Sequence, residues 1–104
     1  MPALNEIIHQ PIRLRIMAAL VAVGNGDQME FTALRDLLQL TDGNLGAHLR
    51  RLEDASYVKL SKTFVARKPR TYISVTMRGR SAFADHVAAL EAITRGSEVE
   101  SADG

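Results

Sequence analysis

Asn44, Ala47, His48 and Arg51 share one side of the stretch from Thr41 to Asp54, and Leu45, Leu49 and Leu52 share the other. Leucines spaced by four and then three residues mark one buried helical face, so the polar set is the exposed one. An amide, an imidazole and a guanidinium, with small residues between them, suit entry into a groove. Asparagine pairs bidentately with adenine, and arginine with guanine, in the major groove of DNA. Gly43, Gly46 and Ala47 let a backbone come close to another surface, although a helical glycine costs about 1 kcal/mol relative to alanine. An amphipathic helix with a solvated polar face would show the same spacing, so the rest of the chain has to decide.

Charge distribution favours the groove. The net charge is +1 over 104 residues, which alone argues nothing. Residues 57–80, however, carry Lys59, Lys62, Arg67, Lys68, Arg70, Arg78 and Arg80 and no acid, whereas 1–56 balance to −2 and 81–104 to −4. A basic block inside a nearly neutral chain is a localised footprint for a polyanion. The bland reading of the same block is a solvated charged hairpin.

The elements that must position these residues follow from periodicity. Leu4, Ile7 and Ile8 suggest one short helical face within 3–10. Pro11 suits the first turn of a new helix running to Val23. In it Ile12, Ile16, Ala19, Leu20 and Val23 make one apolar stripe and Leu14, Met17 and Val21 a second. The second stripe is free to meet a partner subunit or to be covered by the N-terminal segment. Gly24-Asn25-Gly26-Asp27 is turn chemistry. Met29-Glu30-Phe31 is a short extended piece. Thr32 is expected to cap a helix from Ala33 to Leu38, with Leu34, Leu37 and Leu38 inward. About three residues then lead to the helix 42–54, capped by Thr41 or Asp42; that is the spacing of a helix-turn-helix, whose second helix enters the major groove.

After Ser56 the helical period stops. Tyr57–Leu60 and Arg70–Val75 are β-branched and aromatic and read as strands. The basic turn between them is expected to be kept out of regular pairing by Pro69. A hairpin directly after a helix-turn-helix, basic at its tip, is a wing, placed here at 64–71. Arg67, Lys68 and Arg70 would reach phosphates or the minor groove. Thr76 is expected to cap a last helix carrying Phe83, Val87, Leu90 and Ile93, a stripe suited to packing on the domain or to pairing across a dimer. Residues 96–104 are small, polar and acidic and are expected to be a disordered tail. The fold class is therefore α+β: mainly helical with a small hairpin, in the order helix, short strand, helix, helix, strand, wing, strand, helix, forming one domain over 1–95.

Several motifs are familiar as a set. They are Pro11-Ile-Arg-Leu-Arg-Ile-Met17, Phe31-Thr32-x-Leu34, Leu40-Thr41-Asp42-Gly43-Asn44-Leu45, His48-Leu49-x-x-Leu52-Glu53, Arg67-Lys68-Pro69-Arg70-Thr71 and Thr76-x-x-Gly79-Arg80. Over residues 4–92 the chain resembles small single-domain winged-helix transcriptional regulators of the MarR/ArsR-like group. The resemblance implies binding of double-stranded DNA, as a homodimer, near a promoter. It puts Asp42, Gly43, Asn44, Ala47, His48 and Arg51 in the recognition helix and Arg67, Lys68 and Arg70 in the wing. Asp42 is the weaker candidate, because an acid repels phosphate unless it accepts from a cytosine amino group. Arg50 points sideways, toward a phosphate or toward Glu53 or Asp54. Leu14, Met17, Val21, Phe83, Val87 and Leu90 are the expected dimer contacts.

Other classes fit less well. There is no cysteine, so disulfides, thiol sensing and thiolate metal sites are excluded, in keeping with a cytoplasmic protein. His9, His48 and His86 have no ligand spacing, and no metal or cofactor is expected. No apolar run approaches a membrane span, and no signal peptide is evident. The serines lack an activating base and there is no phosphate-cradling glycine loop, which argues against an enzyme. A winged helix that docks on protein without reading DNA is the stronger rival.

Overall fold

The computed structural model describes residues 3–24 and 26–103, with side chains through Gly96. The order is α1 (Pro11–Val23), β1 (Met29–Glu30), α2 (Phe31–Leu38), α3 (Asp42–Asp54), β2 (Val58–Val65), β3 (Lys68–Val75) and α4 (Met77–Asp103). The strands pair antiparallel in the order β1-β3-β2. This is the α+β winged arrangement expected. Of the stretch 96–104, expected to be a disordered tail, α4 carries the backbone to Asp103, and Gly104 and the side chains beyond Gly96 lie outside the described residues.

The core forms where α3 lays its leucine face against α1, α2 and the sheet. Leu45, Leu49 and Leu52 are fully buried, with Ile16, Leu34 and Ile73. Each such side chain contributes roughly 1.5–3 kcal/mol of burial. In α1 the two expected stripes merge: Ile16, Met17 and Leu20 are the buried residues. Met17 is fully enclosed by its own chain, so it is not a surface for a partner, whereas Leu14 and Val21 stay half-buried. Gln10 caps α1 by accepting from the Arg13 N–H at 2.9 Å, and Gly24 ends it at φ 106°.

Several local expectations change. Residues 6–9 form turns rather than a helix. Asn5 Oδ1 accepts from the N–H groups of Ile7 and Ile8 at 2.9 and 3.0 Å, an Asx turn that replaces helical bonding. Glu30, not Thr32, is the N-cap of α2, and Thr32 Oγ1 instead donates to the Glu30 carboxylate. Leu37 is 60% exposed, because an eight-residue helix buries only its Leu34/Leu38 side. The strands run further than expected, and only Ala66 and Arg67 remain as the turn. Both have positive φ (52° and 67°), which a two-residue hairpin turn of type I′ requires. Pro69 is inside β3, opposite Phe64. It is tolerated because β1 pairs only with Ile73 and Tyr72, leaving the other edge of β3 free at Pro69.

The N-terminal segment is tied down by α4. The Asn5 N–H donates to His86 Nδ1 at 2.9 Å, and Asn5 Nδ2 donates to Tyr57 Oη at 2.8 Å. The His86 proton therefore sits on Nε2, which is buried without a partner. The His9 ring stands edge-on to it, centroids 5.7 Å apart. Burial, and then the His9 charge, push the His86 pKa below the ordinary value. A depressed histidine pKa means that the unfolded chain takes up the proton first. Stability should thus be complete above about pH 6.5 and fall as the pH drops from there to the folded pKa, by at most about 1.4 kcal/mol per pH unit. Thermal midpoints measured from pH 8 to pH 5 should show this slope, and His86→Leu should flatten it. An unchanged slope in that variant would assign the pH dependence elsewhere.

Candidate nucleic-acid interface

Thr41 starts α3 with extended backbone, and its Oγ1 accepts from the Asn44 N–H at 3.1 Å. This is an ordinary N-cap. Asp42 follows in the first turn, where its charge suits the positive helix end. It also receives Arg35 Nη1 at 2.7 Å, while Arg35 Nε donates to Asp36 at 3.0 Å. Asp42 thus links α2 to α3, and its charge is answered within the chain.

Beyond it Gly43, Asn44, Ala47 and Arg51 are exposed on the outer face of α3, and His48 is half-buried beside them. A methyl group added at Gly43 or Gly46 would meet nothing within 4 Å. The fold does not require glycine at either position.

Arg13 joins this face from α1, which the sequence spacing did not indicate. Its Nε donates to the Ile7 carbonyl at 2.6 Å. Its pKa is lowered by burial and then by the charge of Arg51. The pKa of His48 is lowered by burial and then by the charge of Arg13. The charges of Arg13 and Arg51 thus act on one another, and that of Arg13 disfavours the charged form of His48. Among the described residues, no ion pair involves any of the three.

A second set of cations lies between α3 and the wing. Arg50 and Lys62 line a groove of about 380 Å³ with Gly46, Glu53 and Leu60. Both were legible as cations; their meeting was not, because it depends on how β2 packs on α3.

At the wing, Arg67 occupies the turn and Lys68 follows it, both exposed. Arg70 differs from the expectation. Its Nη1 lies 2.6 Å from Glu30 Oε2, so it braces the hairpin against β1. Hydrogen bonds from Thr32 and then Arg70 hold the Glu30 carboxylate below its usual pKa. Of the nine expected interface residues, Asp42 and Arg70 are engaged in internal ion pairs; among the described residues His48, Arg51, Arg67 and Lys68 form no ion pair, and Gly43, Asn44 and Ala47 carry no charge.

Two half-buried flanks complete the picture. Phe83, Val87 and Leu90 on α4 and Leu14 and Val21 on α1 are neither enclosed nor fully open. Among the described residues, no group of three or more His, Asp or Glu side chains could hold a metal ion. No helix among them is long and apolar enough to cross a membrane.

A helix-turn-helix followed by a basic hairpin defines a winged-helix domain, in which the second helix of the pair is presented outward. Residues 12–94 match the family described as "Winged helix DNA-binding domain", and the chain belongs to that family, one of DNA-binding domains and not of enzymes. It is 34% identical, over 82 residues covering 79% of this chain and 86% of the other, to an uncharacterized protein of Methanocaldococcus jannaschii. Its fold is similar to that of a transcriptional regulator homologue from Pyrococcus horikoshii OT3, with a TM-score of 0.80, 33% identity and 88% of each chain covered. It is also similar to a MarR-family regulator structure from Enterococcus faecalis V583, with a TM-score of 0.69 and 21% identity, covering 94% of this chain and 84% of that one. The last comparison bears on fold alone.

Proposed function

We propose that this protein is a cytoplasmic, homodimeric transcriptional regulator that reads duplex DNA with α3 and holds the flanking backbone with its wing. The observation that carries this reading is the outer face of α3. It is smooth at Gly43, Gly46 and Ala47, polar at Asn44, His48 and Arg51, and flanked by Arg13, Arg50 and Lys62, which form no ion pair among the described residues. Asn44 and Arg51 are assigned to base edges, and Arg67 and Lys68 to phosphates or the minor groove. Asp42 and Arg70 position the reading helix and the hairpin. The half-buried Leu14, Val21, Phe83, Val87 and Leu90 supply the dimer surface. Two copies would place their α3 helices in successive major grooves about one helical turn apart.

The test is selection of binding sites from a random duplex pool at two salt concentrations. An enriched palindrome with half-sites about one turn apart supports both reading and dimer. Salt-sensitive binding without an enriched motif overturns base reading, and no binding at low salt makes protein docking the better account.

Variants separate the roles. Arg51→Ala or Asn44→Ala should relax preference at one base position by about 1–3 kcal/mol. Lys68→Ala should weaken binding to all sequences alike and lower the salt slope by about one. If all three lower specific and random binding equally, α3 does not read bases. Competition titrations on the enriched and a scrambled duplex give the answer.

A further inference from the structure

Phe64 is 74% exposed near the tip of the wing, the largest aromatic surface the fold leaves in water. Its register partner across the hairpin is Pro69, so the pair forms a small apolar cap. Side chains two residues apart on a strand share a face. Leu60, Lys62 and Phe64 are therefore on one face of β2, and Leu60 and Lys62 line the groove against Gly46 and Arg50 of α3. Phe64 extends that same face outward, toward whatever α3 contacts.

The surroundings say what that is. Lys62 shares the face of Phe64 two residues away and Arg67 occupies the adjoining turn, whereas Lys68, opposite Val65, is on the other face; residues 61–69 are all exposed. A hydrophobic protein partner would be poorly served by the two cations, Lys62 and Arg67, beside its contact, whereas a polyanion with an apolar interior satisfies both features. Stacked bases beneath a phosphate backbone are such a surface. Reach also fits: Ser61 to Val65 at about 3.3 Å per residue gives roughly 15 Å of free hairpin, against a minor groove about 7.5 Å deep.

From this geometry we infer that Phe64, backed by Pro69, is an apolar wedge that enters the minor groove beside the site read by α3, unstacks one base step and bends the duplex. This rests on the DNA-binding reading above. Partial insertion of an apolar side chain between base steps kinks DNA by roughly 20–90°. Flexible pyrimidine–purine steps cost least to open, so the wedge would add a preference for TA or CA at a position that no hydrogen bond reads.

The experiment uses the duplex enriched from the random pool, end-labelled with a donor and acceptor dye, and a second copy carrying 2-aminopurine at the flanking steps. The full chain should shorten the end-to-end distance and raise 2-aminopurine fluorescence at one step. Phe64→Ser should abolish both signals and weaken binding about tenfold with an unchanged salt slope, since no phosphate contact is lost. Phe64→Leu should keep much of the bend, and Lys68→Ala should keep all of it while lowering the slope. Binding with an unbent duplex, or a bend that survives Phe64→Ser, overturns the wedge and leaves base reading intact. Failure of the protein to bind any duplex in the pool overturns both.

Discussion

Gly79→Ala is expected to destabilise the fold by about 3 kcal/mol, the upper end of ordinary overpacking, and to lower the thermal midpoint by roughly 15 °C. A Cβ at Gly79 would stand 2.1 Å from the Tyr57 carbonyl oxygen, 2.9 Å from its carbon and 2.9 Å from Val75 Cγ2. The Tyr57 carbonyl cannot easily give way. It accepts from the Thr76 N–H at 3.0 Å and from Thr76 Oγ1 at 3.1 Å. Thr76 in turn caps α4 through the Gly79 N–H at 2.9 Å. The α4 start, the α3 exit and the sheet thus close on one point, and a methyl group must part them. Gly46→Ala is the control: its Cβ would meet nothing within 4 Å, and alanine should stabilise α3 by about 1 kcal/mol. Denaturation followed by circular dichroism distinguishes the two. A Gly79→Ala midpoint within about 3 °C of the parent would contradict the close approach.

Arg50→Ala combined with Lys62→Ala should cut affinity for any duplex roughly sixtyfold at 0.1 M salt. The reasoning is electrostatic. These two cations face one groove between α3 and β2, where a backbone passing between reading helix and wing would run. Each phosphate contact releases about 0.9 counterion, so losing two lowers the salt slope by about 1.8, and that loss at 0.1 M is the stated factor. Preference among sequences should stay the same, because phosphates carry no base identity. Anisotropy titrations over a salt series measure both quantities. A slope unchanged by the double substitution would remove the groove from the interface, and a changed base preference would make Arg50 or Lys62 a base contact.

Much of this architecture was legible because it is local. The Leu45/Leu49/Leu52 spacing marks the inner face of α3, and all three are fully buried. Thr41 has the residue type of a cap and serves as one. Thr76 does the same for α4. The basic block over 57–80 marks the hairpin, and Arg67 and Lys68 stand at its tip.

What was not legible depends on residues distant in the chain. Arg70 reads in the sequence as one more wing cation, but folding sets it against Glu30, 40 positions earlier. Pro69 looked like a breaker, yet it is harmless because β1 is too short to pair alongside it. His9 and His86 have no shared spacing, but their rings meet when the N-terminal turn folds against α4. Met17 lay on a stripe open to a partner, and the chain itself covers it.

Periodicity, capping chemistry and charge along the chain therefore determined by themselves the order of elements, the outward face of α3 and the basic wing, since each depends on interactions spanning a few residues. Only the tertiary structure decided which cations are free. Charge pairing depends on distance in space, and packing sets Arg35 against Asp42 and Arg70 against Glu30 while bringing Arg50 to Lys62 and Arg13 to Arg51.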